Sequence, residues 1–245
     1  MINSKRFLGI VPARGSSTRL ENKNIRYLNG QPIISYILQQ AQAIQEIDRL
    51  IVSSNDTEIA NISKEWGAEV PFIRSDELAQ DDTPMLPVVI DAIEKLESEG
   101  DYYDYVCILQ ANSPLTQSKD ILRAMQTCLK SKANVVFSVC ECSHPPQWTL
   151  RLTEAKCPQF SFIEDCGQTF GRTQDQELLY RSTGAIYVAE VSYLKGNPIN
   201  ARLALPCVSQ NSFVIITDPM HSVDIDTELE LLLAEVLMTS HKKNH

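Results

Sequence analysis

Short apolar runs recur between helix-patterned stretches over the first 140 residues, and that alternation leaves few folds open to the chain. FLGIV (7–11), ending at Pro12, RLIVSS (49–54), the short AEVPFI (68–73), YVCILQ (105–110) and NVVFSV (134–139) each read as a strand. Near-continuous Val, Ile and Leu, rather than alternation with polar residues, marks strands buried on both faces of a parallel sheet. Between them, residues 31–44, 56–66, 85–98 and 119–131 carry helical spacing. Pro32 sits in a first turn, where its missing N–H costs nothing. Asn55 or Asp56 can cap the second helix, and Gly67 closes it. Strands joined by helices of this length build right-handed βαβ units, which predicts an α/β fold with a doubly wound, mostly parallel sheet.

After Cys140 the rhythm changes. SHPPQWTLRLTE, the polar stretch around Cys166 and LLYRSTGAIYVAE read as extended segments and hairpins, a β-rich insertion over about residues 140–181. Trp148, Leu150, Leu152, Phe160 and Phe162 give that arm an apolar content that a partner subunit would cover. The α/β pattern returns with FVIIT, a last strand in SVDID, and a helix over 227–240 that opens on the capping box Thr227-x-x-Glu230. With 245 residues and no internal repeat, the chain is read as one domain, 1–245, carrying an inserted arm. No run of 18 apolar residues offers a membrane span, and Pro12 cuts the first apolar run too short for a signal segment. The expectation is a cytoplasmic protein with no membrane partner. Seven scattered cysteines without a C-x-x-C pair fit that expectation and indicate neither a disulfide framework nor a zinc site.

A formal charge of −9 argues against a general nucleic-acid binder, which needs clustered Lys and Arg. Any anionic ligand must meet a local basic patch, and the chain has one. Lys5, Arg6, Arg14, Arg19, Lys23 and Arg26 face a single acid, Glu21, and most of them lie in the loop VPARGSSTRLENKNIR after the first strand. Ligands of open α/β sheets bind beyond the carboxyl ends of the strands. Gly15, Ser16 and Ser17 can turn backbone N–H groups inward as an anion nest, while Arg14, Arg19 and Lys23 grip a polyphosphate; the alternative is a solvated basic loop. Neither G-x-x-x-x-G-K nor G-x-G-x-x-G is present, which removes two nucleotide-binding classes. Asp224 and Asp226, two apart on an extended segment, project to one face. Paired carboxylates suit Mg²⁺, although Asp226 can equally cap the following helix. Gln110 ends a strand at the ligand edge. Arg74 follows the third strand, as a base or phosphate ligand or as a partner of Asp76 or Glu77. His144 stands alone and reads as structural.

The ordered motifs V-P-A-R-G-S-S-x-R-L-x-x-K-N, I-V-S-S-N-D-T-E-I-A, G-A-E-V-P-F-I-R, L-Q-A-N-S-P-L, Y-R-S-T-G-A-I-Y and D-I-D-T-E-L-E span nearly the whole chain. Together they resemble the acylneuraminate cytidylyltransferase family, the CMP-nonulosonic acid synthetases that include CMP-sialic acid synthetase. The resemblance implies a Rossmann-like fold, a homodimer joined by the arm, and Mg²⁺, with Mn²⁺ as a substitute. It implies transfer of CMP from CTP to a 2-keto sugar acid for surface glycan biosynthesis, with release of pyrophosphate. By position, Arg14 and Lys23 match the catalytic cations. Arg14, Gly15, Ser16, Ser17, Lys23, Asn24 and Arg74 match the nucleotide site, and Asp224 and Asp226 match the metal aspartates. Gln110 and Tyr187 are assigned to the sugar site, with Arg172, one residue before the family's position at Thr173, as a substitute there. Ser16 and Thr18 depart from the family's R-G-G-S-K, Gln147 and Thr173 stand where basic residues are usual, and Thr183 replaces an Asn. The sugar is therefore open among N-acetylneuraminic, legionaminic and pseudaminic acids. Two other readings compete: a CMP-Kdo synthetase, echoed by S-T-R-L-x-x-K, and a non-catalytic nucleotide-sugar-binding protein on the same fold.

Overall fold

The computed structural model describes residues 2, 4–144, 149–152, 160–162, 178–196 and 211–243. Six strands form one sheet: β1 (Phe7–Pro12), β4 (Arg49–Ser53), β5 (Tyr105–Leu109), β6 (Val135–Glu141), β9 (Tyr180–Glu190) and β10 (Ser212–Ile216). Their order is β10-β6-β9-β5-β1-β4, parallel except for β9, which runs antiparallel to both of its neighbours. The mostly parallel, doubly wound expectation stands. What the sequence did not disclose is that YRSTGAIYVAE forms no hairpin but one long strand through the middle of the sheet.

Side chains alternate across the sheet into two cores. On one face Phe7, Val11, Cys107 and Leu109 meet α1 (Ile33–Gln42), α2 (Thr57–Glu65) and α4 (Ser118–Ser131). On the other, Leu8, Ile10, Val106 and Ile108 meet α3 (Met85–Ser98) and α5 (Val191–Gly196). Burial on both faces is why these strands read as unbroken apolar runs. A third, smaller core lies under α6 (Glu228–Lys243), where Leu231 and Ala234 pack on Leu20, Leu28, Ile33, Leu115, Val223 and Ile225. Two-residue strands β2 (Tyr27–Leu28) and β3 (Gln31–Pro32) pair beside it.

Two expected strands differ. AEVPFI makes isolated bridges to the β4 edge at Ile51–Glu69 and Ser54–Ile73, because Pro71 between them has no N–H to continue a ladder. SVDID pairs with no strand. It is an extended segment whose Val223 and Ile225 enter the third core, so the alternation that turns Asp224 and Asp226 outward survives without a sheet. Most of the expected arm, including Gln147, Trp148, Arg172 and Thr173, lies outside the described residues. Within it, β7 (Leu150–Leu152) and β8 (Phe160–Phe162) form an antiparallel ribbon separate from the main sheet. Among the described residues no helix is long and apolar enough to cross a membrane.

Candidate functional site

The loop after β1 is tied to the carboxyl end of β4. Ala13 N–H donates to the Ser53 carbonyl at 3.0 Å and Gly15 N–H to Asn55 Oδ1 at 3.1 Å. The Gly15 amide is thus already used, a correction to the expected anion nest, in which it was to point at the ligand. Asn22, in left-handed backbone, opens a single 3₁₀ turn, Lys23–Ile25, that carries the next two candidates. Asn24 Nδ2 donates to the Arg14 carbonyl at 2.9 Å, so this buried asparagine fixes the loop from below.

Arg14, Ser16, Lys23, Asn24, Arg74 and Gln110 line one cleft beyond the strand ends, a space of about 750 Å³ counting its open mouth. Ser17 is not among its lining residues. Arg14 reaches across the mouth to the Gln80 carbonyl (Nη1–O 3.0 Å) and to Asp81 (2.9 Å). Gln110 Nε2 rests on Met85 Sδ at 2.9 Å. Arg74 is 4% exposed, its backbone held by Ser54, and its Nε has no acceptor among the described residues. It pairs with neither Asp76 nor Glu77. Burial, then the nearby Arg14 charge, lowers its pKa, against the attraction of Asp91. A buried guanidinium without a counter-ion is costly unless something anionic or hydrogen-bond-accepting reaches it.

Asp226 caps nothing. Its carboxylate accepts from Lys23 Nζ at 2.7 Å and pairs with Arg19, while Glu230 takes the helix start, accepting from Thr227 N–H at 2.7 Å and Asp226 N–H at 2.8 Å. Half of the expected capping box forms, and it frees Asp226 for other work. Burial alone would raise the Asp226 carboxyl; the hydrogen bond and charge of Lys23, with Arg19, hold it below its ordinary value. Asp224 goes the other way. Burial, then Asp226 beside it, pushes its carboxyl up to about 6, and its one side-chain partner is Ser113 Oγ at 3.4 Å. Among the described residues no third Asp, Glu, His or Cys completes a cluster with them. Two hard oxygen donors, one disfavoured in its charged form, suit a cation that takes its remaining ligands from phosphate and water.

Tyr187 does not join the cleft. In mid-strand β9 it pairs with Ile108 on one side and Phe137 on the other, and its ring is fully buried in the core against Phe137, 6.2 Å between centroids. The register that centres it in the sheet removes the expected sugar contact. Arg172 lies outside the described residues. Sequence reading missed Asn112 and Asp81, both on the cleft wall; the only signal for Asn112 was a second polar residue following Gln110.

The family described as Cytidylyltransferase matches residues 8–157. A pseudaminic acid cytidylyltransferase of Campylobacter jejuni is 33% identical over 240 residues, 97% of each chain. A CMP-N,N'-diacetyllegionaminic acid synthase of Legionella pneumophila is 29% identical, covering 95% of this chain and 96% of its own. Among solved structures, a CMP:2-keto-3-deoxy-manno-octonic acid synthetase complexed with CTP superposes with TM-score 0.68 at 16% identity, over 96% of this chain and 99% of that one. At that identity the likeness is one of fold.

Proposed function

Since the chain belongs to the cytidylyltransferase family, we propose that it transfers CMP from CTP to the anomeric hydroxyl of a nonulosonic acid, releasing pyrophosphate. The observation that carries this reading is the cationic cleft wall of Arg14, Lys23 and unpaired, buried Arg74 in a chain of net charge −9. Relatives aligned along nearly their full length bear the names of pseudaminic and diacetyllegionaminic acid enzymes, whereas likeness to the octonic acid synthetase is confined to fold. A non-catalytic binder would have little use for the paired carboxylates beside Lys23.

The chemistry asks the protein for position and charge rather than a covalent intermediate. The sugar hydroxyl attacks the α-phosphorus in line, a new P–O bond forms as the hydroxyl proton passes to solvent, and the bond to pyrophosphate breaks with its electron pair going to the leaving group. Arg14 and Lys23 lie where that charge develops. Arg14 gives up Asp81 easily, because Asp81 is 59% exposed and such surface pairs are weak. Arg74 offers its guanidinium to the base, and Gln110 its amide to the sugar. Asp224 and Asp226 would hold Mg²⁺ or Mn²⁺, which supplies further neutralisation on phosphate oxygens when bound. We also propose a homodimer joined through residues 140–181, with Arg172 serving the sugar site.

Pyrophosphate release from CTP and Mg²⁺ tests the reading across pseudaminic, legionaminic, N-acetylneuraminic and 3-deoxy-octulosonic acids. Turnover with a nine-carbon acid, CTP strongly preferred over ATP and UTP, is the expected result. Comparable kcat/KM for ATP assigns the cleft to another nucleotidyltransferase, since a site built to hydrogen-bond one base leaves groups unpaired with another.

A further inference from the structure

The stretch carrying Asp224 and Asp226 belongs to no helix and to no sheet among the described residues. The direct ion pairs of Lys23 and Arg19 go to Asp226. What fixes the backbone between the two aspartates is Asn112. Ile225 N–H donates to the Asn112 carbonyl at 2.9 Å, and Asn112 Nδ2 donates back to the Ile225 carbonyl at 3.3 Å. Both bonds close on the one residue that separates the pair. The same Nδ2 lies 3.4 Å from Asp226 Oδ1, and the adjacent Ser113 Oγ lies 3.4 Å from Asp224 Oδ1.

We propose that Asn112 is a positioning residue for Asp224 and Asp226; this rests on reading those carboxylates as the cation ligands of the proposed cytidylyltransferase. Ile225 is fully buried among Leu20, Leu28 and Leu115. On extended backbone its two neighbours must then point the opposite way. Burial alone leaves Ile225 free to rock about the chain axis, and rocking moves the two carboxylates in concert. The two hydrogen bonds to Asn112 remove that freedom, because they hold both the N–H and the carbonyl of Ile225 from one side. Asn112 is itself 7% exposed and lies two residues beyond Gln110 in the turn that follows β5, so the ligand pair is referenced to the sheet edge where the proposed nucleotide and sugar residues sit. Groups that orient metal ligands without touching the metal typically control about 10–100-fold of its affinity.

The test uses the full chain, Mn²⁺ as the probe, and electron paramagnetic resonance to count free Mn²⁺. Asn112→Ala removes the amide, and Asn112→Leu removes it while keeping the volume. Both should melt cooperatively, bind Mn²⁺ about 10–100-fold more weakly, and need correspondingly more Mg²⁺ for half-maximal turnover. Because Asn112 also lines the cleft, CTP affinity in EDTA is measured beside it, and the loss of Mn²⁺ affinity should clearly exceed any loss of CTP affinity. Folded variants with Mn²⁺ affinity within about threefold of native would make Asn112 a turn residue or a substrate contact, and overturn the assignment. Variants that fail to fold overturn it as well, in favour of a structural role. If the unaltered chain binds Mn²⁺ but releases no pyrophosphate with any sugar acid, the catalytic reading fails while the brace stands. If it turns over without taking up Mn²⁺, the aspartates are not ligands and the brace has nothing to position.

Discussion

Lys23 serves two neighbours: it lines the cleft beside Arg14 and donates to Asp226 at 2.7 Å. Removing a preorganised charge from a phosphoryl transition state costs about two orders of magnitude or more, so Lys23→Ala should lower kcat by at least that factor. The fold should persist, since this side chain packs no core. A soluble Lys23→Ala protein with near-native kcat removes the residue from the site. Asp224 makes a second prediction through its titration. Its ordinary value is 3.8, and the fold moves it to about 6, burial first and Asp226 second. A carboxyl raised on folding stabilises in its protonated form. That contribution is complete below its unfolded value and is lost as pH rises through about 6. Asp224→Asn cannot ionise and escapes the loss. Without metal it should melt above the unaltered chain at pH 7 and alongside it at pH 4, while gaining less than the unaltered chain from added Mg²⁺. A variant that melts lower at both pH values shows that the carboxylate is a stabilising contact.

One glycine joins two elements. A Cβ on Gly15 would stand 2.6 Å from Asp56 Oδ2 and 2.8 Å from Asp56 Cβ. Asp56 is the N-cap of α2, its side chain accepting from Glu58 N–H at 2.8 Å and Ile59 N–H at 3.0 Å. The first loop lies against that cap only because residue 15 has no side chain. Gly15→Ala must displace either the cap, at a cost of about 1 kcal/mol, or the loop carrying Arg14. Urea titration together with pyrophosphate release should show loss in at least one; both unchanged would mean that the contact is loose. The same comparison shows what was legible in the sequence. Helices α1 to α4 and strands β1, β4, β5 and β6 were readable because double-sided burial and 3.6-residue spacing are local patterns. β9 was not, because its place between β5 and β6 is set by partners 39 to 85 residues away. In the site, Arg14, Lys23 and the aspartate pair announced themselves by charge and spacing. That Asp226 would sit on Lys23, 203 positions away, or that Asn112 would grip Ile225, follows from the third core, which no local pattern encodes.

For the molecule as a whole, the proposed homodimer rests on the arm. Its β7–β8 ribbon stands apart from the six-stranded sheet, and Leu150 and Leu152 are 42% and 62% exposed on it. Leu178 and Tyr180, at the entry to β9, are exposed too. Apolar surface gathered on one projecting segment is what a single subunit avoids and a partner covers. Light scattering at micromolar concentration should therefore return twice the 27.5 kDa chain mass. Leu150→Glu with Leu152→Glu places two like charges into the covered face, and dissociation should follow. If the arm also brings Arg172 to the partner's cleft, the separated chain keeps its CTP affinity and loses transfer to sugar, a split that a misfolded protein would not show. A second apolar stripe competes for the role. On α6, Leu229, Leu232, Leu233 and Val236 are exposed at i, i+3, i+4 and i+7, the spacing of a helix-packing seam. Should the arm variant remain dimeric while Leu232→Glu dissociates the chain, the subunits meet through α6, and the arm's apolar face serves the substrate side instead. A mass of one chain with full activity rejects both interfaces, because the cleft would then be complete within a single subunit.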